Sequence, residues 1–458
     1  MFHNTITAIS TPIGEGGIGI VRLSGPMSMD IISKIFQGKI DISTAKSHTI
    51  HYGKIVHPET LQIIDTVLVS IMRSPHTYTR EDVVEINAHS GSIVLQGILE
   101  LMILMGARLA QPGEFTRRAF LNGRIDLAQA EAVIDIIRAK TDASLKVALS
   151  QLDGRLSRDV NLLRRRLIDL LAHIEVLLDF SEEELEEIDI ATIFDGFELI
   201  ERQLTALINS SRQGKILREG ASCVIVGRPN VGKSSLLNTL LGEARAIVTH
   251  LPGTTRDIIE EIIDISGIPL KIADTAGLRE TIDIIEKEGV SRAWKAIEGA
   301  AVILLVLDAS CSLTQEDMLI IERLKEQTCV VVLNKCDMEE VIGIAQLEQL
   351  FPDKPIVHIS AINGQGMDGL RDAIKGLLLN GQINISEGVM VSNVRHIDAL
   401  KKALSAILRA KNTFNNNPSM DLVAVDLHDA LLCLNILVGE ITTEDVLDAV
   451  FSRFCVGK

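Results

Sequence analysis

No stretch of the 458 residues reaches the roughly 18 to 20 uninterrupted apolar residues of a membrane span, and the best candidate, 300–307, stops at Asp308. The N-terminus lacks a basic start followed by an apolar run, so no secretory signal is visible and a cytoplasmic location is expected. The six cysteines, Cys223, Cys311, Cys329, Cys336, Cys433 and Cys455, include no CxxC pair. That argues against a zinc site or a disulfide framework; most are expected as small buried apolar side chains. Positive charge is also short: 45 Lys and Arg stand against 61 Asp and Glu, a net charge of −16. Any nucleic-acid contact must therefore be local or shared with a partner. Apolar residues, at 47%, are ample, and a chain this long is expected to divide into two or three domains.

What is present is an ordered set of four motifs. GRPNVGKS at 227–234 sits between an apolar strand candidate (223–226) and a helical pattern (235–241), the context a phosphate loop requires. Backbone N–H groups around Asn230, Val231 and Gly232, with the helix start at Ser234 and Ser235, form a polarised nest for phosphate oxygens. Lys233 reaches the outer phosphates and Ser234 offers a hydroxyl to Mg²⁺. Further on, Gly253 opens GTTR, and KIAD ends a strand candidate at Asp274, followed by Thr275, Ala276 and Gly277. That carboxylate suits a metal's water shell, and Gly277 permits close approach to the last phosphate. Asn334, Lys335 and Asp337 of NKCD follow another strand candidate. Asp337, acceptor-only when ionised, fits the ring N–H and exocyclic amine of guanine and opposes adenine. Ser360, Ala361 and Ile362 fit the loop that closes over the base. Each motif alone is an ordinary strand-to-loop turn; the ordered set specifies GTP binding and hydrolysis.

The position after Gly277, where many GTPases carry a water-orienting Gln, is Leu278. Another group must act. The Asn230 side-chain carbonyl is suited to a monovalent cation between the outer phosphates, and the segment carrying Thr249, His250, Leu251, Pro252, Gly253, Thr254 and Thr255 is suited to wrapping it. Glu286 is a candidate to orient water, in competition with Glu280 and Glu288.

The fold class expected is a multidomain combination of α+β and α/β. Residues 1–118 alternate β-rich runs with one strong helix candidate (93–105), an α+β domain. Within it GEGGIG at 14–19 matches GxGxxG formally but precedes a strand pattern, so it reads as a permissive loop and not a dinucleotide fingerprint. Residues 119–216 become helical, starting from Asp126 and Gln129 at capping-box spacing; Leu156, Val160, Leu163, Leu167, Leu170, Ile174 and Leu177 form the seam of a long helix. The acidic run 181–187 reads as a solvated turn, and 193–208 as a further amphipathic helix. Residues 217–378 form a doubly wound P-loop unit inserted in a helical bundle that resumes at 379–458. The arginines at 155, 158, 164, 165 and 166 are a solvated helix face or an RNA contact.

Several runs span the whole chain: GGIGIVR (16–22), YTREDVVE (78–85), RLAQPGEF (108–115), RAFLNGRIDLAQAE (118–131), the four GTPase motifs, and FCVGK at the C-terminus. With these the sequence resembles the MnmE (TrmE) family of tRNA-modification GTPases. The resemblance implies a dimerising N-terminal domain that binds 5-formyltetrahydrofolate, and an inserted G domain whose K⁺-dependent dimerisation activates hydrolysis. It also implies a homodimer working with the flavoprotein MnmG (GidA), together adding an aminomethyl or carboxymethylaminomethyl group to carbon 5 of the wobble uridine of certain tRNAs. By motif, Arg22, Glu85, Arg124 and Lys458 look like folate contacts, although each is equally a salt-bridge or solvated charge from its residues alone. Asn230, Thr249, Leu251 and Thr254 resemble the K⁺ site, Ser234 and Thr255 the Mg²⁺ ligands, and Glu286 the catalytic glutamate. Cys455 is a nucleophile, a redox-active thiol or a structural one. Glu15 and Arg124 stand where relatives often carry a basic residue and a lysine. The competing reading is a non-catalytic GTPase switch in ribosome assembly, which has no need of the folate residues or the terminal Cys-x-Gly-Lys.

Overall fold

The computed structural model describes residues 4–12, 14–179, 190–243, 261–272, 297–379, 390–416 and 419–458. Contacts divide the chain into two units, Met1–Ile134 with Asn435–Lys458, and Asp135–Leu434. The last 24 residues, read from sequence as part of the helical bundle, fall in the same unit as the N-terminus.

The first unit is built on a seven-stranded sheet: β1 (Ile6–Ile9), β2 (Gly19–Ser24), β3 (Phe36–Gly38), β4 (Thr49–Val56), β5 (Ile63–Met72), β6 (Val83–Ala88) and β7 (Arg108–Leu109), in the order β3-β4-β5-β6-β2-β1-β7. All pairs are antiparallel except β1 with β7. Period-2 alternation decides which face is covered. Val67, Val69 and Ile71 of β5 and Val21 and Leu23 of β2 turn inward, against α1 (Ser28–Ile35) and α2 (Ser92–Leu104), which contribute Ile31, Ile32, Ile98 and Leu101 to the same core. Helix α3 (Glu114–Leu121) and α4 (Leu127–Arg138) follow. The expected capping box is formed, with Gln129 N donating to Asp126 Oδ1 at 2.8 Å and Asp126 N to Gln129 Oε1 at 3.0 Å.

In the second unit come α5 (Asp142–Leu152), α6 (Arg155–Asp179) and α7 (Ile190–Glu219). Leu156, Val160, Leu163, Leu167, Leu170 and Ile174 of α6 are buried as their spacing requires, whereas Leu177, near the helix end, is only half-buried. Helix α7 exceeds its expected span at both ends; past 208 small residues continue its inward stripe, and a Cβ on Gly214 would lie 2.3 Å from the carbonyl oxygen of Val391. Gly220, at φ +84°, ends it.

The chain then enters a six-stranded sheet of β8 (Ala221–Val226), β9 (Glu261–Ile265), β10 (Ile268–Ile272), β11 (Val302–Asp308), β12 (Cys329–Asn334) and β13 (Ile356–Ile359). Its order is β13-β12-β11-β8-β10-β9, parallel except for edge strand β9. β11 and β12 are buried along their entire length, hence the unbroken apolar runs VILLVL and CVVVL. Helices α8 (Lys233–Glu243), α9 (Gln315–Leu324), α10 (Ile344–Leu350) and α11 (Met367–Leu379) accompany it; α12 (Val394–Asn416) and α13 (Met420–Val438) return to helix packing, and α14 (Glu444–Phe451) is capped by Thr443 in the first unit. The observed class is the expected α+β with α/β. The core of this sheet also takes in Ala143 and Val147 of α5 and Leu217 of α7, and Thr141 Oγ1 donates to the carbonyl of Gly267 at 2.8 Å. Among the described residues no helix is long and apolar enough to cross a membrane. Cys223 and Cys329 are buried, Cys455 is exposed, and the other three lie between.

Candidate functional site

In a parallel sheet, ligand sites form beyond the carboxyl ends of the strands where the chain's winding reverses. Here that point is β8, which lies between β10 and β11. The phosphate loop leaves its end. Gly232 has φ +98°, and a Cβ there would lie 2.1 Å from Asn334 Nδ2, so only glycine allows the loop this close to the next strand end. Asn230 takes the left-handed conformation at φ +64°. Lys233 opens α8, and its Nζ donates to the carbonyls of Gly227 at 2.7 Å and Arg228 at 2.8 Å, arching over the nest. Burial pushes the Lys233 ammonium below its usual range. The side chains of Asn230 and Ser234 have no hydrogen-bond partner among the described residues, and both residues are exposed. An oxygen donor so placed fits a hard or monovalent cation.

The loops expected from sequence to meet the base sit at the ends of β12 and β13. Asn334, 3% exposed, donates from Nδ2 to the Val231 carbonyl at 2.8 Å and accepts at Oδ1 from Ala361 N at 3.0 Å. Its amide therefore ties the phosphate loop to the 360–362 loop, and Asp337, three residues on, is exposed. Lys335, at φ +68°, pairs through Nζ with Asp308 Oδ2 at 2.6 Å. Burial would raise the Asp308 carboxyl, but hydrogen bonds from Lys335 and Ser310 and the lysine's charge outweigh it, and the net shift is downward. Ser360 is buried, and Ile362 is 80% exposed, an apolar edge beside this loop. The structure thus brings together Asn230, Val231, Gly232, Lys233, Ser234, Ser235, Asn334, Lys335, Asp337, Ser360, Ala361 and Ile362 at one sheet edge. Thr249, His250, Leu251, Pro252, Gly253, Thr254, Thr255, Asp274, Thr275, Ala276, Gly277 and Glu286 lie outside the described residues.

A second cluster forms in the first unit. Arg22 and Glu85 are register partners on β2 and β6; Arg22 Nε and Nη2 reach Glu85 Oε1 at 2.8 and 2.7 Å, and Nη1 donates to the Gly457 carbonyl at 3.0 Å. The cross-strand ion pair is therefore real, and Glu85 Oε2 has no hydrogen bond among the described residues. Phe115 lies under the Arg22 guanidinium, 5.5 Å from ring centre, and Tyr78 lies 6.0 Å from that of Arg124, which also donates to Thr77 O at 2.8 Å. The Tyr78 hydroxyl meets Thr116 Oγ1 at 2.9 Å. Burial raises the Tyr78 phenol above its usual range, against the Thr116 hydrogen bond and the charges of Arg22 and Arg124. The C-terminal turn is held by Gly457: at φ +97°, its Cβ position would lie 2.4 Å from Ile9 O, and its own carbonyl also accepts from Ser10 Oγ at 3.1 Å. Cys455 O accepts from Gly113 N and Lys458 N, each at 3.4 Å. Tyr78, Phe115, Thr116 and Gly457 join this cluster, and each lies in or next to the runs that carry the resemblance. The 14–18 loop with Glu15 is exposed and pinned by Ser90 Oγ, so the glycine-rich match is a loop leading into β2.

The chain matches the MnmE helical domain family over residues 127–455 and the family of the GTP-binding protein TrmE N-terminus over residues 5–124. It is 48% identical to the tRNA modification GTPase MnmE of Acetivibrio thermocellus over 456 residues, 100% of this chain and 99% of that one. It is 46% identical to the protein of the same name from Alkaliphilus oremlandii, over 99% of both chains. With that of Bacillus licheniformis it shares 46% identity over 99% of this chain and 100% of the other.

Proposed function

The chain belongs to the MnmE family of tRNA modification GTPases and is a GTP-hydrolysing, tRNA-modifying enzyme; on that premise we propose how its residues divide the work. GTP lies along the phosphate loop with Lys233 on its outer phosphates and Asp337 on guanine. The observation that carries this is the Asn334 brace, which holds phosphate and base loops at one sheet edge. Ser234 and Thr255 would hold Mg²⁺, which would neutralise charge on the phosphates. The Asn230 side-chain carbonyl, unpartnered among the described residues, would hold a K⁺ ion together with Thr249, Leu251 and Thr254, and the positive charge would do the work of an arginine finger. Glu286 orients the attacking water, since Leu278 cannot. Hydrolysis is coupled to meeting of two nucleotide modules in a homodimer.

The Arg22–Glu85–Gly457 cluster supports a folate site with Arg124 among its contacts: the Glu85 oxygen left open among the described residues accepts from a pterin amine, and Arg22 or Lys458 pairs with a carboxylate of the tail. The tetrahydrofolate supplies a one-carbon unit. With the flavoprotein MnmG, the enzyme adds an aminomethyl or carboxymethylaminomethyl group to carbon 5 of the wobble uridine of certain tRNAs in the cytoplasm. The net charge of −16 is consistent with a partner supplying much of the tRNA contact. In domain terms we assign 1–118 to folate and dimerisation, 119–216 and 379–458 to the helical domain, and 217–378 to GTP. Mass spectrometry of wobble uridines from cells lacking this chain tests the assignment: the C5 group is expected to be absent, and unmodified levels equal to those of the parent strain would refute it.

A further inference from the structure

The phosphate loop is braced at two places. Toward its C-terminal end Val231 O is held by Asn334, as described. Near its start, Arg228 turns its guanidinium toward the N-terminus of α9. Arg228 Nε lies 3.2 Å from Asp317 Oδ2, and Nη2 lies 2.7 Å from Cys311 Sγ. Asp317 is 3% exposed and also caps α9, its Oδ2 accepting from Thr314 N at 3.0 Å and Thr314 Oγ1 at 2.8 Å. Yet two atoms of this pair, Arg228 Nε and Asp317 Oδ1, are buried without a hydrogen-bond partner among the described residues. A guanidinium and a carboxylate in contact ordinarily close a two-pronged fork. Here the charges are paired but neither prong of the fork is closed by a hydrogen bond, and buried polar groups left this way favour any shift that completes it.

We propose that Asp317 is a positioning residue for the triphosphate: through Arg228 it anchors the start of the phosphate loop to α9, and the fork closes fully when nucleotide is bound. The anchor also keeps Arg228 turned away from the phosphates, so it does not serve as a finger for them. This inference rests on the phosphate loop being the GTP site.

The test is a double-mutant cycle on affinity for a fluorescent GDP analogue, using the full-length protein and Arg228→Ala, Asp317→Asn and the pair together. Asn at 317 retains a cap acceptor for Thr314. Each single change is expected to raise Kd about tenfold, ~1.4 kcal/mol, and the double change is expected to be no weaker than the worse single, because both remove one interaction. Additive losses, or an unchanged Kd in either single variant, would overturn the proposal. Thr314→Ala separates capping from anchoring: it is expected to lower the melting temperature and leave Kd unaltered, and a Kd rise equal to that of Asp317→Asn would also sink the proposal. If Lys233→Ala binds as tightly as the unaltered protein, the GTP-site reading itself fails; if Lys233→Ala is weak and the cycle shows no coupling, only the anchor fails.

Discussion

Replacing Asn334 with alanine removes the brace that joins the two nucleotide loops, and its effect can be sized from two contacts. Val231 and Ala361 are 0% and 3% exposed, so the carbonyl of one and the N–H of the other lose partners where water has little access. An orphaned buried group costs about 1–3 kcal/mol, and two orphans, partly relieved by relaxation or an admitted water, amount to about 2–4 kcal/mol. The loss is local, and a single unfolding energy is poorly defined for a chain of several domains. The fitting assay is therefore amide hydrogen exchange resolved by mass spectrometry. Peptides covering 227–232 and 356–362 are expected to exchange about thirtyfold to a thousandfold faster in Asn334→Ala, the same energy expressed as a rate ratio, while β4 and β5 of the first unit remain as protected as before. Guanine-nucleotide affinity should fall in parallel, because both loops must be ordered on binding. Unchanged exchange at Ala361 would refute the bracing role, and equal acceleration throughout the protein would show that the effect is general destabilisation.

GTP turnover is expected to respond strongly to K⁺ over Na⁺; steady-state rates that are equal in the two salts would remove the cation assignment. Glu286→Ala is expected to retain GDP affinity and lose most turnover, measured as phosphate release, and undiminished hydrolysis would exclude that carboxylate as the water-orienting group. Gly457→Ala forces a side chain into left-handed backbone, about 1–2 kcal/mol of strain, besides the contact with Ile9 O; 5-formyltetrahydrofolate should no longer raise the melting temperature although GTP hydrolysis persists, and a normal folate shift would contradict the tail's part in the site. Asp308 has a folded pKa below its ordinary 3.8, so the Lys335 pair contributes fully above that value and is lost as pH falls through the lower folded value. Acid titration of exchange in 329–338 should therefore show loosening only below about pH 3.8, and Asp308→Asn should loosen the same segment at neutral pH; loosening in mid-range acid would point to another group.

The strands and most helices were legible because burial imposes a period. β11 and β12 read as unbroken apolar runs, α6 as a three-and-four seam, and Asp126 with Gln129 as a helix start. The phosphate loop was legible because its backbone shape admits few residues: a Cβ at Gly232 would collide with Asn334. Less of α7 could be read. Its continuation past 208 depends on Gly214 meeting the Val391 carbonyl, a contact between residues 177 apart. The role of Asn334 likewise depends on which carbonyl and which N–H lie beside it.

By itself the sequence determined the nucleotide class, the GTPase chemistry and the family, because those reside in short runs whose spacing is set by local backbone geometry. Only tertiary structure decided that Asn334 braces two loops, that Arg228 faces Asp317, and that Arg22 meets Glu85 and the Gly457 carbonyl 435 positions away. Such contacts are made by segments that chain order does not bring together, and the packing of whole sheets and helices sets their distances.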